Sequence, residues 1–295
     1  METIFVQIAS YRDPELKPTI LDCVQKAKYP ERVSFGICWQ NCEKEREELT
    51  DFLYSLSRTR IINVDFMESE GVCWARSLTQ SLYQGENYTL QIDSHMLFDK
   101  DWDVQLIEYL KNCESIKPLL SCYPNNFQDR NLIKDLDRKP AVMHFNGTDN
   151  DGMVKFVAYN IEEVEKPIRG WFLAAGFIFT LGQFCLECKY DPQLYFHGEE
   201  ISLGVRSYTK GYDVYYPPRN IIWHLYKIPG SYEKDSCLHW KDHSRWWERD
   251  VISKKRVQQL LGQQDHNIDL GDYGLGTVRT LDEYKKASSL NFKMK

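Results

Sequence analysis

No segment of the chain approaches the ~20 consecutive apolar residues of a membrane-spanning helix. Its opening residues, METIFVQIAS, lack the basic region and longer apolar stretch of a secretory signal. No basic block runs beyond a few residues and the net charge is −6, which argues against nucleic acid as a partner. Internal repeats and low-complexity tracts are also missing. Cysteine is present but unorganised: nine residues, an odd number, scattered from Cys23 to Cys237. Without a signal, such a set does not build a disulfide framework. Cys185 and Cys188 form one C-x-x-C, but no second pair stands at zinc-ribbon spacing. These absences lead to the expectation of a cytoplasmic protein with no transmembrane segment. The 295 residues, 14% of them aromatic, suffice for one large domain or a domain with an appendage.

What is present alternates regularly. IFVQIA (Ile4 to Ala9) is a short β-branched apolar run ending in a polar loop, the pattern of a buried strand. A helix follows from Pro18, with Ile20, Val24 and Ala27 on one face, and stops before Pro30. VSFGICWQ, IINVDFM and YTLQI read as further strands, separated by helices over Glu43 to Leu56 and Val72 to Tyr83. This order predicts an α/β fold with a mostly parallel central sheet, helices on its faces and ligands beyond the carboxyl ends of the strands. A helix near Trp102 to Cys113 and a strand near Leu119 to Tyr123 come next. Residues 124–150 are polar and read as a surface excursion. MVKFVAY and WFLAAGFIFT read as strands, the second with Gly176 in its interior, where a glycine marks close approach of a ligand or backbone. A helix in HGEEISLGVRSYTKGY places Glu199 and Glu200 near its start, and VYYPP and IIWHLY are short strands. Residues 1–235 are expected to form the main domain and 236–295 a helical extension. In that extension Trp240, Trp246 and Trp247, with Arg245 and Arg249, either pack onto the domain or form a binding platform or peripheral membrane patch.

Asp93 and His95 stand two apart just past the fourth strand, so an extended backbone points both to one side. Carboxylate and imidazole together suit a divalent cation such as Mn²⁺. His224, within IIWHLY, is a further ligand candidate, although a lone histidine there also fits a packed core residue. Arg12 follows the first strand and Arg76 lies early in the helix before the fourth, where a phosphate beside a metal would find a cation and a helix N-terminus. Surface ion pairing is the plainer alternative for both. The dipole alone favours Glu199 and Glu200 at a helix start; gripping a substrate hydroxyl or stabilising positive charge developing on a sugar ring are the other roles open to them.

These residues resemble the glycosyltransferases that add N-acetylglucosamine to polypeptide, the Skp1-type family (family 60). The resemblance runs through IFVQIASYRDPELKPTI, FGICWQ, LQIDSHMLF, DWDVQLI, AAGFIF, YDPQLYFHGEEISLGVRSYTKGYDVYYP, HLYK and YGLGTVRTLDEY, nearly the whole chain. More distantly it is similar to mucin-type polypeptide N-acetylgalactosaminyltransferases, which carry an Asp-x-His metal motif and a later metal-binding histidine. The resemblance implies a GT-A fold, a UDP-N-acetylglucosamine donor, transfer with retention, and Mn²⁺ (or another divalent cation such as Mg²⁺) held by Asp93, His95 and His224. It implies donor contacts from Ser10, Tyr11, Arg12, Arg76, Asp93, Ser94, Gly176 and Phe177, and catalytic roles for Glu199 and Glu200. The acceptor would be a hydroxyl on a protein or a microbial glycan, and a homo-oligomer is compatible with the sequence. Two other functions share the same features: a metal-dependent sugar-nucleotide hydrolase and a non-catalytic carbohydrate- or nucleotide-sugar-binding protein.

Overall fold

The computed structural model describes residues 2–130, 136–226, 237–290 and 292. β1 (Ile4–Tyr11), α1 (Leu16–Lys26), β2 (Val33–Asn41), α2 (Glu43–Ser55), β3 (Thr59–Asp65), α3 (Val72–Ser81) and β4 (Tyr88–Ile92) alternate as the apolar pattern predicts. Then come β5 (Met96–Phe98), α4 (Trp102–Lys111), β6 (Pro118–Ser121), β7 (Asn125–Asn126) and a hairpin of β8 (Ala141–Thr148) and β9 (Val154–Asn160). β10 (Ile168–Arg169), β11 (Phe177–Leu181), α5 (Phe184–Glu187), α6 (Glu199–Thr209), β12 (Asp213–Tyr216) and β13 (Ile222–His224) follow. α7 (His239–Asp242), α8 (Trp246–Leu260) and α9 (Leu281–Ser288) make up the C-terminal part. The expected domain boundary at 235/236 lies outside the described residues. Among the described residues, no helix is long and apolar enough to cross a membrane.

The central eight-stranded sheet has the order β10-β12-β6-β11-β4-β1-β2-β3. β4, β1, β2 and β3 are mutually parallel, and β11 lies antiparallel between β4 and β6. β1 and β2 are buried on both faces, which accounts for their unbroken apolar runs. Gln7, inside β1, donates its amide N–H to Thr89 Oγ1 at 2.7 Å, which ties β1 to β4 through a buried polar contact. The chain runs outward through β2 and β3, then returns to place β4 on the other side of β1. The cleft beyond the carboxyl ends of β1 and β4 is therefore the topological switch point of the sheet.

Three expectations need correction. The polar stretch 124–150 is not all surface excursion: it supplies β7 and β8. β8 escapes the pattern because it pairs only with β9, and from His144 onward its residues are exposed or half-buried. The expected strand from Trp171 begins only at Phe177, so Gly176 precedes β11 rather than sitting inside it. Phe172 to Ala175 are apolar because they are buried, but side chains meet their backbone: Ser121 Oγ accepts from the Ala174 N–H, and Gln91 donates to the Ala175 carbonyl. The strand expected to reach Met67 ends at Asp65, whose carboxylate accepts the Met67 N–H at 3.0 Å and caps a short 3₁₀ turn.

Candidate active site

The cleft at the switch point is built from two loops and two helix starts. After β4, residues Asp93 to His95 bend rather than extend, and Thr19 of α1 holds the bend. Its hydroxyl donates to the Ser94 carbonyl at 2.9 Å and accepts the Met96 N–H at 2.9 Å. β5 then pairs antiparallel with β13, setting His224 opposite Met96, and the Leu225 N–H reaches the His95 carbonyl at 3.0 Å. Leu97, Phe127, Trp223 and Leu225 form a small core under this sheet. A separation of 129 residues in sequence thus closes to 3.1 Å between the Nε2 atoms of His95 and His224. Asp93, His95 and His224 offer ligand atoms that all lie within 4.8 Å of one another.

Asp13, which sequence analysis did not single out, sets the tautomer of His95. Its Oδ2 lies 2.6 Å from His95 Nδ1 and accepts Ser94 Oγ at 2.7 Å. Burial opposes the charge on Asp13, but the His95 contact outweighs it and holds the carboxyl near a pKa of about 2. An ionised carboxylate only accepts, so His95 donates a proton from Nδ1, and its Nε2 is turned toward His224. Carboxylate-oriented imidazoles of this kind are characteristic of metal centres. His224 is pushed below its ordinary value by burial, the state a ligand requires. Burial alone would raise Asp93, but Arg76 and then His224 hold it far below the usual carboxylate range. One carboxylate and two imidazoles converging on one point fit a borderline divalent cation.

Arg76 links this cluster to a second pair of carboxylates. From α3 its guanidinium donates to Asp93 Oδ1 at 2.6 Å and to Glu199 at the start of α6, with only 6% of the Arg76 side chain exposed. Gly198 turns the chain into α6 at φ 86°, where a Cβ would meet Val257 Cγ2 at 2.7 Å, so glycine is required there. Glu200 accepts the Tyr123 hydroxyl and, at 2.9 Å, the Ala175 N–H. Burial raises its pKa to about 7 against the pull of those two donors. At Gly176 the close approach is by a side chain, where a ligand or backbone was expected: a Cβ there would lie 2.6 Å from Asp93 Oδ2. The β4–β11 register, Ile92 opposite Phe177, fixes that approach.

Two cavities meet at the cluster, of about 480 and 350 Å³, sharing Arg76, Asp93, Phe196 and His224. The larger holds Gly176, Glu199, Glu200, Tyr123 and, from the β8–β9 hairpin, Asn146 and Lys155. The smaller is lined by Tyr11, Asp13, Gln40, Ser94 and His95, and by Leu238 and Trp240 of the C-terminal part. Ser10, Arg12 and Phe177 line neither. Ser10 and Phe177 are buried, and Arg12 turns to Asp242, 3.0 Å away, with its guanidinium over the Phe66 ring. Tyr11 also donates to Asp242, at 2.8 Å. Of the C-terminal tryptophans, Trp246 stacks on Tyr195, Trp240 edges onto Phe196 and Trp247 is 54% exposed. Cys185 and Cys188 are buried free thiols. Asp13, Tyr123 and Lys155 carried no motif in the sequence; only the position of Asp13 just past β1 pointed toward the cleft.

The model of the glycosyltransferase (GlcNAc) family matches residues 3–55 and 48–294. The chain belongs to that family. Its fold is similar to that of GalNAc-T7, solved with UDP, GalNAc and Mn²⁺, with a TM-score of 0.59 and 16% identity. That alignment covers 100% of this chain and 55% of GalNAc-T7, so the chain spans just over half the length of that structure. S. aureus TarS 1–349 with UDP-GlcNAc aligns at a TM-score of 0.47 and 10% identity, over 86% of this chain and 70% of TarS. No curated protein sequence matches. The fold is GT-A.

Proposed function

We propose that this glycosyltransferase moves N-acetylglucosamine from UDP-N-acetylglucosamine to a hydroxyl on a cytoplasmic protein or a glycan, with retention, as in the Skp1-type transferases. The observation that carries this reading is the convergence of Asp93, His95 and His224 at the junction of two cavities, with Arg76 against Asp93. The family description supports the sugar, and the UDP and Mn²⁺ in the GalNAc-T7 structure support the donor class and cation. Asp93, His95 and His224 would hold Mn²⁺ or another divalent cation, which supplies Lewis-acid stabilisation of the diphosphate when bound. The smaller cavity, walled by Tyr11, Ser94 and Val72, takes the nucleotide; the larger takes the sugar and acceptor. Ser10 and Phe177 support those walls from the core, and Arg12 reaches the donor by exchanging Asp242 for phosphate.

Transfer breaks the bond between the anomeric carbon and the diphosphate oxygen, leaving negative charge on UDP and positive charge on the sugar. The acceptor oxygen bonds that carbon on the same face, and its proton passes to the departing phosphate oxygen. Arg76 is placed to stabilise the first, in a site where burial strengthens each interaction. Glu199 orients Arg76, and Gly176 leaves room for the sugar beside Asp93. Glu200 keeps lone pairs free beyond those used by Tyr123 and Ala175, and these receive the acceptor hydroxyl or a sugar hydroxyl.

Incubating the protein with Mn²⁺ and a panel of UDP-sugars tests the reading. UDP should be released from UDP-N-acetylglucosamine alone, stop with EDTA and accelerate with a hydroxyl acceptor. Release from another donor would change the substrate, and EDTA-insensitive release would remove the metal. Acceptor-independent turnover at full rate would make the protein a hydrolase.

Glu200→Gln should slow transfer about tenfold or more while leaving UDP affinity within about twofold. Because the Glu200 carboxylate forms as pH rises through about 7, parent activity should climb across that range and the variant profile should be flatter there. Equal loss of UDP binding and turnover would instead place Glu200 in the donor site.

A further inference from the structure

At the opposite end of the sheet, by the amino ends of β1, β2 and β3, a cleft of about 420 Å³ is lined by Arg32, Arg58 and Arg60. None of its lining side chains is apolar: the rest are hydroxyl and amide groups, a glycine and one carboxylate, Glu86. Two guanidinium groups are set in place by aromatic rings. Arg32 lies 3.8 Å over the Tyr29 ring and Arg60 4.6 Å over Phe5, contacts that fix the planar groups without consuming their N–H donors. Arg60 uses one amino group on Glu86 and on Ser34 Oγ, the latter at 3.2 Å. Arg32 has Glu31 only at 3.6 Å, beyond hydrogen-bonding distance. Arg58 has no side-chain hydrogen bond or ion pair among the described residues. Positive charge therefore outweighs negative here, on a chain whose net charge is −6.

The backbone of Arg58 adds an independent observation. It adopts φ 58°, the left-handed region in which glycine or asparagine is less strained. Its carbonyl is held by the Phe35 N–H at 3.0 Å, so the conformation is fixed by the start of β2. A stretch indifferent to the side chain would be better served by glycine.

We infer that this cleft binds a phosphate dianion, either inorganic phosphate or a soluble phosphomonoester. Guanidinium forks match tetrahedral oxyanions in geometry as well as charge, and preset forks lose little freedom on binding. A polar lining provides nothing for an acyl chain. The seven steps of β1 put roughly 25 Å between this cleft and the Asp93 cluster, so the two sites are separate. The inference does not rest on the transfer reaction.

Calorimetric titration of the full chain with inorganic phosphate, at low ionic strength and without divalent cations, tests it. Saturable binding to one site is expected, weakened at least tenfold by Arg32→Ala and by Arg58→Gly and unchanged by His95→Ala. Arg58→Gly suits the backbone, so the variant should melt no lower than the parent, and loss of binding then reports the side chain. Absence of saturable binding, binding that survives both arginine substitutions, or binding abolished by His95→Ala would each overturn the inference.

Discussion

His95→Ala should lower metal-dependent UDP release at least about a hundredfold while the protein stays folded. Even groups that only orient a metal ligand change metal affinity about 10–100-fold, and His95 offers a ligand atom itself. Folding should survive because Asp13 keeps the Ser94 hydroxyl and the Glu15 N–H, at 2.7 and 2.9 Å. Loss of a charge-assisted hydrogen bond costs about 1.5–3 kcal/mol, a small shift for a chain of 295 residues. A companion substitution separates ligation from orientation. Asp13→Asn leaves His95 in place but permits the other tautomer, so Mn²⁺ affinity should fall about tenfold or more while saturating Mn²⁺ restores much of the rate. Mn²⁺ titration with UDP release measured on the same samples would check both. Undiminished turnover in His95→Ala would remove His95 from the metal site, and turnover in Asp13→Asn that no Mn²⁺ concentration restores would deny Asp13 a merely orienting role.

Which parts of this arrangement were legible follows from what the residues must satisfy locally. β1 through β4 could be read because central parallel strands are buried on both faces and their helices carry one apolar stripe. Asp93 and His95 could be read because the switch point lies past the carboxyl ends of such strands. β8 could not be read, since a hairpin strand with a mostly open face has no strong apolar period. The run from Trp171 was read as strand because burial and extension give the same composition. In the structure that irregular backbone turns the Ala175 N–H to Glu200 and brings Gly176 against Asp93. Asp13 and Tyr123 had no signal because each acquires its role from a partner about 80 residues away, His95 and Glu200 respectively. Arg12 shows the converse. Its position past β1 was legible, but its direction was set by Asp242, far along the chain.

The largest stability effect is expected at Arg76. Arg76→Met should cost about 3–5 kcal/mol, because removing one member of a buried ion network leaves the others uncompensated. The side chains of Arg76 and Glu199 are each 6% exposed, so little solvent is available to replace the guanidinium. Without it, Glu199 and Asp93 lose the cation between them, and Glu200 lies next to Glu199 with its own charge already disfavoured by burial. A fall in Tm on the order of 5–10 °C follows for a chain of this size. Since Arg76 ties α3 to the start of α6 and to the end of β4, turnover should fall with it, by about a hundredfold or more. The double substitution Arg76→Met with Glu199→Leu distinguishes the two consequences. It removes a carboxylate together with its partner, so much of the stability should return, whereas the transfer rate should not. Thermal melts and UDP release across the parent, both single variants and the double variant would measure this. A parent-like Tm in Arg76→Met would mean that water already reaches the network. Recovery of rate along with stability would reduce Arg76 to a structural tie between helices.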